Sequence, residues 1–110
     1  MAKTVKWTEA AWSDLDGVAD YIAADSPFYA AAFVREVREA ARSLNVMPER
    51  GSIVPELENS KIREIFVRKY RLIFQIQRKQ VLILGFIHGA RDLTSLLERE
   101  RRRGSKGIEP

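Results

Sequence analysis

Three short apolar runs separated by charged breaks constrain this chain more than any other feature. They are Arg63-Glu64-Ile65-Phe66-Val67, then Tyr70-Arg71-Leu72-Ile73-Phe74-Gln75-Ile76, then Val81-Leu82-Ile83-Leu84-Gly85-Phe86-Ile87-His88-Gly89-Ala90-Arg91. Runs this short and this rich in Ile, Val, Leu and Phe predict consecutive strands of an antiparallel meander with tight turns. Arg78 and Lys79 form the natural two-residue turn between Gln77 and Gln80, which sets Ile76 opposite Val81 and Phe74 opposite Ile83. Side chains alternate along a strand, so Leu72, Phe74 and Ile76 share the expected core face with Val81, Ile83, Gly85 and Ile87. The reverse face carries Arg71, Ile73, Gln75 and Gln77 with Gln80, Leu82, Leu84, Phe86 and His88. A solitary monomer does not usually leave such a surface in water. The expected cover over Ile73, Leu82, Leu84 and Phe86 is a partner's strand or helix, or the chain's own C-terminal segment. Neither Asn-Gly nor Asp-Gly marks the turn, so a one-residue slip would exchange the faces of one strand.

The segments before the meander supply packing for it. Thr4 to Trp7 predicts a short first strand, and Thr8 caps a helix from Glu9 to about Ala24 with Trp12, Leu15, Val18, Ala19 and Ile22 as its apolar stripe. Ser26 and Pro27 suit the cap and first position of a second helix, whose stripe is Ala30, Phe33, Val37, Ala40, Ala41 and Leu44. The short joint makes the two helices antiparallel neighbours. Met47 to Lys61, with two prolines and Gly51, reads as a long surface connection and not a strand, pinned by Ile53, Val54 and Leu57. Asp92 or Thr94 can cap a last short helix through Leu93, Leu96 and Leu97, with Glu98 to Arg103 continuing as alternating charges; residues 98–110 form a charged tail whose Gly104-Ser105-Lys106-Gly107 stretch should fray. The expected fold is α+β, β-α-α-β-β-β: two layers, a helical hairpin packed on a small antiparallel sheet, with a short C-terminal helix.

A chain of 110 residues with no change of character is one domain. It has no cysteine, which excludes disulfides, thiolate metal sites and a cysteine nucleophile and fits a reducing cytoplasm. The longest apolar run is far below the roughly 20 residues of a membrane span. The start also lacks the marks of a signal peptide. The net charge of +4 mildly favours acidic or nucleic-acid partners.

With one histidine and no cysteine there is no metal-ligand set, and no cofactor domain fits in this length. A Ser-His-Asp arrangement would need His88, yet no serine sits on a strand-to-helix elbow. The conspicuous groups are basic residues at strand ends: Arg63, Arg68, Lys69, Arg71, His88 and Arg91. They could clamp phosphates. Equally, Arg63 and Arg71 could pair with Glu64, Glu56 or Glu58, and His88 could be a hydrogen-bonded strand-end residue. Strand-end arginines near solvent are expected to matter to activity more than to folding. Trp7, Trp12, Phe33 and Phe74 belong to the core; Phe86 and Tyr70 are open.

The ordered set Trp7, Asp14-Leu15, Tyr21-Ile22-Ala23, Asp25-Ser26-Pro27, Ala32-Phe33, Val54-Pro55-Glu56-Leu57, Ile62-Arg63-Glu64, Tyr70-Arg71-Leu72-Ile73 and His88-Gly89-Ala90-Arg91-Asp92-Leu93 resembles the RelE/ParE toxins of bacterial type II toxin–antitoxin systems. The resemblance implies a toxin domain over residues 1–97 that is neutralised by a cognate antitoxin, with operator DNA engaged indirectly through that antitoxin. In this superfamily RelE-like members cleave mRNA on the ribosome with lysines, arginines and a C-terminal tyrosine, whereas ParE-like members poison DNA gyrase. Here the expected lysine-rich strand reads Arg63-Glu64-Ile65-Phe66-Val67, and no tyrosine follows Tyr70. RNA cleavage requires an acid and a base, and His88 is the only residue with a suitable unperturbed pKa. The resemblance therefore implies a ParE-like protein, and the uncovered sheet face with Ile73, Leu82, Leu84 and Phe86, the strand-end Arg71 and Arg91, and the C-terminal segment are its expected partner-binding surfaces. The alternatives are a nuclease using Arg63, Arg71, His88 and Arg91, and a non-toxic antitoxin-binding member.

Overall fold

A computed structural model describes residues 2–91 and 93–103. The three apolar runs form strands β3 (Ile62–Val67), β4 (Tyr70–Ile76) and β5 (Gln80–His88), paired in antiparallel order. Arg78 and Lys79 make the second turn, closed by the Gln77 N–H donating to the Gln80 carbonyl at 2.9 Å. In the first turn, between Val67 and Tyr70, Arg68 adopts φ 55°, the left-handed conformation that a tight two-residue hairpin demands.

The sheet acquires two further edges. Strand β1 (Thr4–Trp7) runs parallel to β5, and the two-residue β2 (Ser52–Ile53) pairs with β3, so the order is β1-β5-β4-β3-β2 and the sheet is mixed. The connection between residues 47 and 61, expected to hold no strand, thus contributes one short pairing. Gly51 allows it: a Cβ there would lie 2.6 Å from the Phe74 ring and 2.9 Å from the Glu64 carbonyl oxygen.

Helices α1 (Glu9–Ala23) and α2 (Pro27–Arg42) cover one face. Thr8 Oγ1 accepts from the Ala11 N–H at 3.0 Å, and Ser26 Oγ accepts from the Tyr29 N–H at 3.1 Å, with Pro27 opening α2. Both caps satisfy donors that the first turn leaves unpaired. Ala11, Leu15, Phe33, Val37, Ala41 and Leu44 close on Leu72, Phe74, Ile76, Val81, Ile83 and Phe86 to form the main core. Trp12 departs from the expected stripe; it is 37% exposed and stacks on Trp7 at the margin.

Register within the β4–β5 hairpin follows the expected pairing only from the turn to Phe74 and Ile83. Beyond that a bulge inserts Leu84, and the pairing shifts to Ile73–Gly85 and Leu72–Phe86. One extra residue re-aims every side chain past it. Phe86, expected on the reverse face, turns into the main core, while Gly85 and Ile87, expected in the core, turn to the reverse face under α3.

The reverse face holds a second core of Val54, Ile62, Ile73, Leu82, Leu84, Leu93 and Leu96. Its lid is α3 (Thr94–Arg103), the chain's own C-terminal segment. Leu96 seats directly over Gly85, where a Cβ would overlap its Cδ1 methyl. The helix runs on past Leu97 through the charged residues to Arg103, as the sequence led one to expect. Glu100 is fully buried against the sheet, with one oxygen held by Arg103 at 2.7 Å. Asp92, an expected cap, and the stretch 104–107, expected to fray, lie outside the described residues.

Candidate functional site

The strand-end arginines separate into two groups. Arg71 projects from β4 on the reverse face, but its side chain is only 6% exposed. Its Nε donates to Glu64 at 2.5 Å, and its two terminal nitrogens grip both oxygens of Glu56 at 2.9 and 2.8 Å. The guanidinium's pKa is raised above its ordinary value, chiefly by the hydrogen bonds to Glu56, against a smaller opposing effect of burial and with Glu64 adding to the rise. The expectation of a solvent-facing Arg71 is therefore corrected: Glu64 and Glu56 hold it as a structural ion pair. Arg63 is likewise engaged, donating to the carbonyls of Ser60 at 3.0 Å and Gly51 at 2.9 Å, so that it staples the connection before β3 to the sheet.

His88 and Arg91, by contrast, meet at an open cleft of about 480 Å³ beyond the end of β1, between α1 and the last turns of β5. Ser13, Asp14, Gly17, Tyr21, Tyr70, Phe86 and Ile87 complete its walls. Gly17 opens it on the helix side, since no atom lies within 4 Å of where its Cβ would be. Tyr70 is stacked on Phe86 at 5.1 Å and meets His88 edge-on at 5.6 Å, so the aromatic cluster that begins at Phe33 in the core reaches the surface here. The His88 Nδ1 accepts from the Ala90 N–H at 3.1 Å, which in the neutral ring leaves the proton on Nε2. Arg91 is exposed and makes no ion pair among the described residues. The cleft thus offers a donor imidazole, a free guanidinium and flat aromatic walls.

An arrangement that strand patterning did not reveal borders this cleft. Strand β1 stops at Trp7, opposite Ile83, so the outer edge of β5 beyond it has no neighbouring strand. Asp14 from α1 supplies the missing acceptor to the Phe86 N–H at 3.1 Å, and Arg99 from α3 supplies a donor to the Leu84 carbonyl at 2.9 Å. The two side chains bind each other bidentately, both contacts at 3.0 Å. Buried backbone groups are almost always paired, and here side chains from two helices finish what a longer β1 would have done. Asp14 stands among the motif residues quoted above, but its partner lies in a different helix far along the chain, out of reach of any local pattern.

Of the apolar residues expected to meet a partner, Ile73, Leu82 and Leu84 lie beneath α3, and Phe86 forms the floor of the cleft from the helix side. With α3 seated, none of them is more than 7% exposed. Among the described residues no group of three or more His, Cys, Asp or Glu is placed to hold a metal ion. No helix among them is long and apolar enough to cross a membrane.

Residues 5–93 match the family model of the ParE toxin of the type II toxin–antitoxin system parDE. No curated protein sequence matches the chain. In structure the chain is similar to a protein of the chromosomal ParDE system from P. aeruginosa, with a TM-score of 0.66 and 24% identity over 79% of this chain and 96% of that one. It is also similar to a chain of the toxin–antitoxin complex RelBE2 from Mycobacterium tuberculosis, with a TM-score of 0.55 and 26% identity over 80% of this chain and 99% of that one.

Proposed function

The chain belongs to the ParE toxin family of type II toxin–antitoxin systems, and on that premise we propose that it arrests growth in the cytoplasm by binding DNA gyrase and is neutralised by a cognate antitoxin. The observation that supports this over RNA cleavage is the disposition of the basic side chains. A nuclease without a metal needs accessible groups to take a proton from the 2′-hydroxyl and return one to the leaving oxygen, with free cations on the phosphate. Of the four residues a nuclease reading would use, Arg71 is enclosed by Glu56 and Glu64 and Arg63 is spent on carbonyls, which leaves His88 and Arg91 open. One imidazole and one guanidinium bind well, but within that set a single imidazole would have to serve both proton transfers. As a recognition surface, the same cleft is well furnished: aromatic walls give rigid contact area, and Arg91 gives a charged anchor at its rim. Partner contact is therefore assigned to Tyr21, Tyr70, His88 and Arg91 and to the outer surface of α3, with Ile73, Leu82 and Leu84 acting from beneath by seating that helix.

Induction in cells lacking the antitoxin tests the proposal. It predicts a DNA-damage response, with mRNA intact at the ribosomal A site. Codon-specific cuts lost in His88→Ala, without DNA damage, would establish the nuclease reading. Growth unaffected by the folded protein would identify a non-toxic member.

A further inference from the structure

The outer surface of α2 has no part in the cleft. Arg35, Arg38 and Arg42 recur there at three- and four-residue spacing and so form one exposed ridge. None of the three makes an ion pair among the described residues. Glu39 lies on the same ridge, while Glu36 is occupied by Arg68 at 3.1 Å. In place of a carboxylate, Arg38 lies over the Trp12 ring, 5.8 Å from its centre, and Trp12 stacks on Trp7 at 4.2 Å and 14°. Shallow recesses of about 410 and 230 Å³ flank Arg38 and Arg42. Past the C-terminal end of the helix, Arg50 is drawn in by two hydrogen bonds to Ser43 Oγ, at 2.8 and 3.2 Å.

We propose that this ridge binds the phosphate backbone of duplex DNA, with Arg35, Arg38 and Arg42 contacting successive phosphates and no base being read. A guanidinium stacked on an indole is preorganised and keeps its in-plane N–H fork for a bidentate phosphate contact. At 1.5 Å per residue the three arginines cover about 10 Å of helix, an extended row suited to a strand of phosphates more than to one small anion. Single-stranded nucleic acid is held by stacking its bases on free aromatic faces. Here Trp12 is already engaged by Trp7 and Arg38, so the ridge offers charge without a stacking platform. An acidic peptide would need apolar anchors between its charges, and the recess along the three arginines is lined by two small apolar residues, Ala31 and Val34, the exposed Phe28 lying about two turns before Arg35. A polyelectrolyte backbone gains affinity from counterion release alone.

The inference is independent of the gyrase reading, and the purified protein with labelled DNA tests it without gyrase. Fluorescence anisotropy with a short duplex should show affinity falling about 40-fold between 50 and 200 mM salt, the dependence of three phosphate contacts. Each of Arg35→Ala, Arg38→Ala and Arg42→Ala should lower the salt slope by about one unit, and the triple variant should lose most binding. Arg101→Ala, which removes an exposed arginine of α3, should change little, and thermal melting should show all variants folded. An unchanged slope in the folded triple variant would overturn the proposal. So would tighter binding of single-stranded DNA of equal length, or displacement of the duplex by polyglutamate at equal charge, which would reassign the ridge to acidic protein segments.

Discussion

Gly85→Ala should unseat α3. The added Cβ would overlap Leu96 Cδ1 and stand 3.1 Å from both Leu96 Cγ and the Arg99 Nη2 that bonds Leu84 and Asp14. Leu96 is 4% exposed within the second core, so it has no free space to rotate into. Forcing a methyl into a filled site typically costs about 1–3 kcal/mol. Replacing glycine within a strand returns about 0.5–1 kcal/mol through the unfolded chain. The net loss should be about 1–2 kcal/mol, enough to lower Tm by several degrees in a domain of this size. Leu96→Ala alone should cost about 2–4 kcal/mol by leaving a cavity. Because the methyl added by Gly85→Ala would grow into that cavity, the double variant should be more stable than the two losses added together, with a coupling of about 1 kcal/mol or more. Urea denaturation of the four proteins measures all of this. A Gly85→Ala protein as stable as the parent, or strictly additive losses, would refute the claim that Gly85 is the seat of Leu96.

Arg71→Ala leaves Glu64 buried without its cation and should cost about 3 kcal/mol, read by denaturation, whereas Arg71→Met combined with Glu64→Leu, which removes the buried charge along with its cation, should be markedly milder. Arg91→Ala, at an exposed and unpaired position, should change stability by less than about 0.5 kcal/mol while weakening growth arrest on induction; equal loss of both would make Arg91 structural. Thr8→Ala removes the α1 cap and should cost about 1 kcal/mol, with Thr8→Ser restoring most of it.

The helices, their caps and the meander were legible because each rests on local chemistry: a hydroxyl before an apolar stripe, proline at the first turn, alternation bounded by charge. Phe86 shows where locality ends. Its face depends on a bulge at Leu84 that breaks no composition rule, and the cause lies in what must pack behind it, Leu96 over Gly85 on one side and the Phe33–Tyr70 cluster on the other. The need for a cover over Ile73, Leu82 and Leu84 could be read from alternation and the last helix from its leucines, but the run of charges after Leu97 gave no sign that Glu100 would be buried. Pairing of Arg71 with Glu56 and Glu64 was one of the two readings open from sequence, but not its burial, since Glu56 reaches it from a connection whose path no periodicity describes. The Asp14–Arg99 pair joins two helices only because β1 ends early.

Supercoiling by purified gyrase in the presence of the antitoxin-free protein is the most direct measurement. Inhibition by the parent protein, reduced in Arg91→Ala and largely kept in His88→Ala, which removes one rim contact and no proton transfer, is the predicted result. Gyrase that supercoils normally beside the folded toxin, while translated mRNA is cut in the same extract, would contradict it.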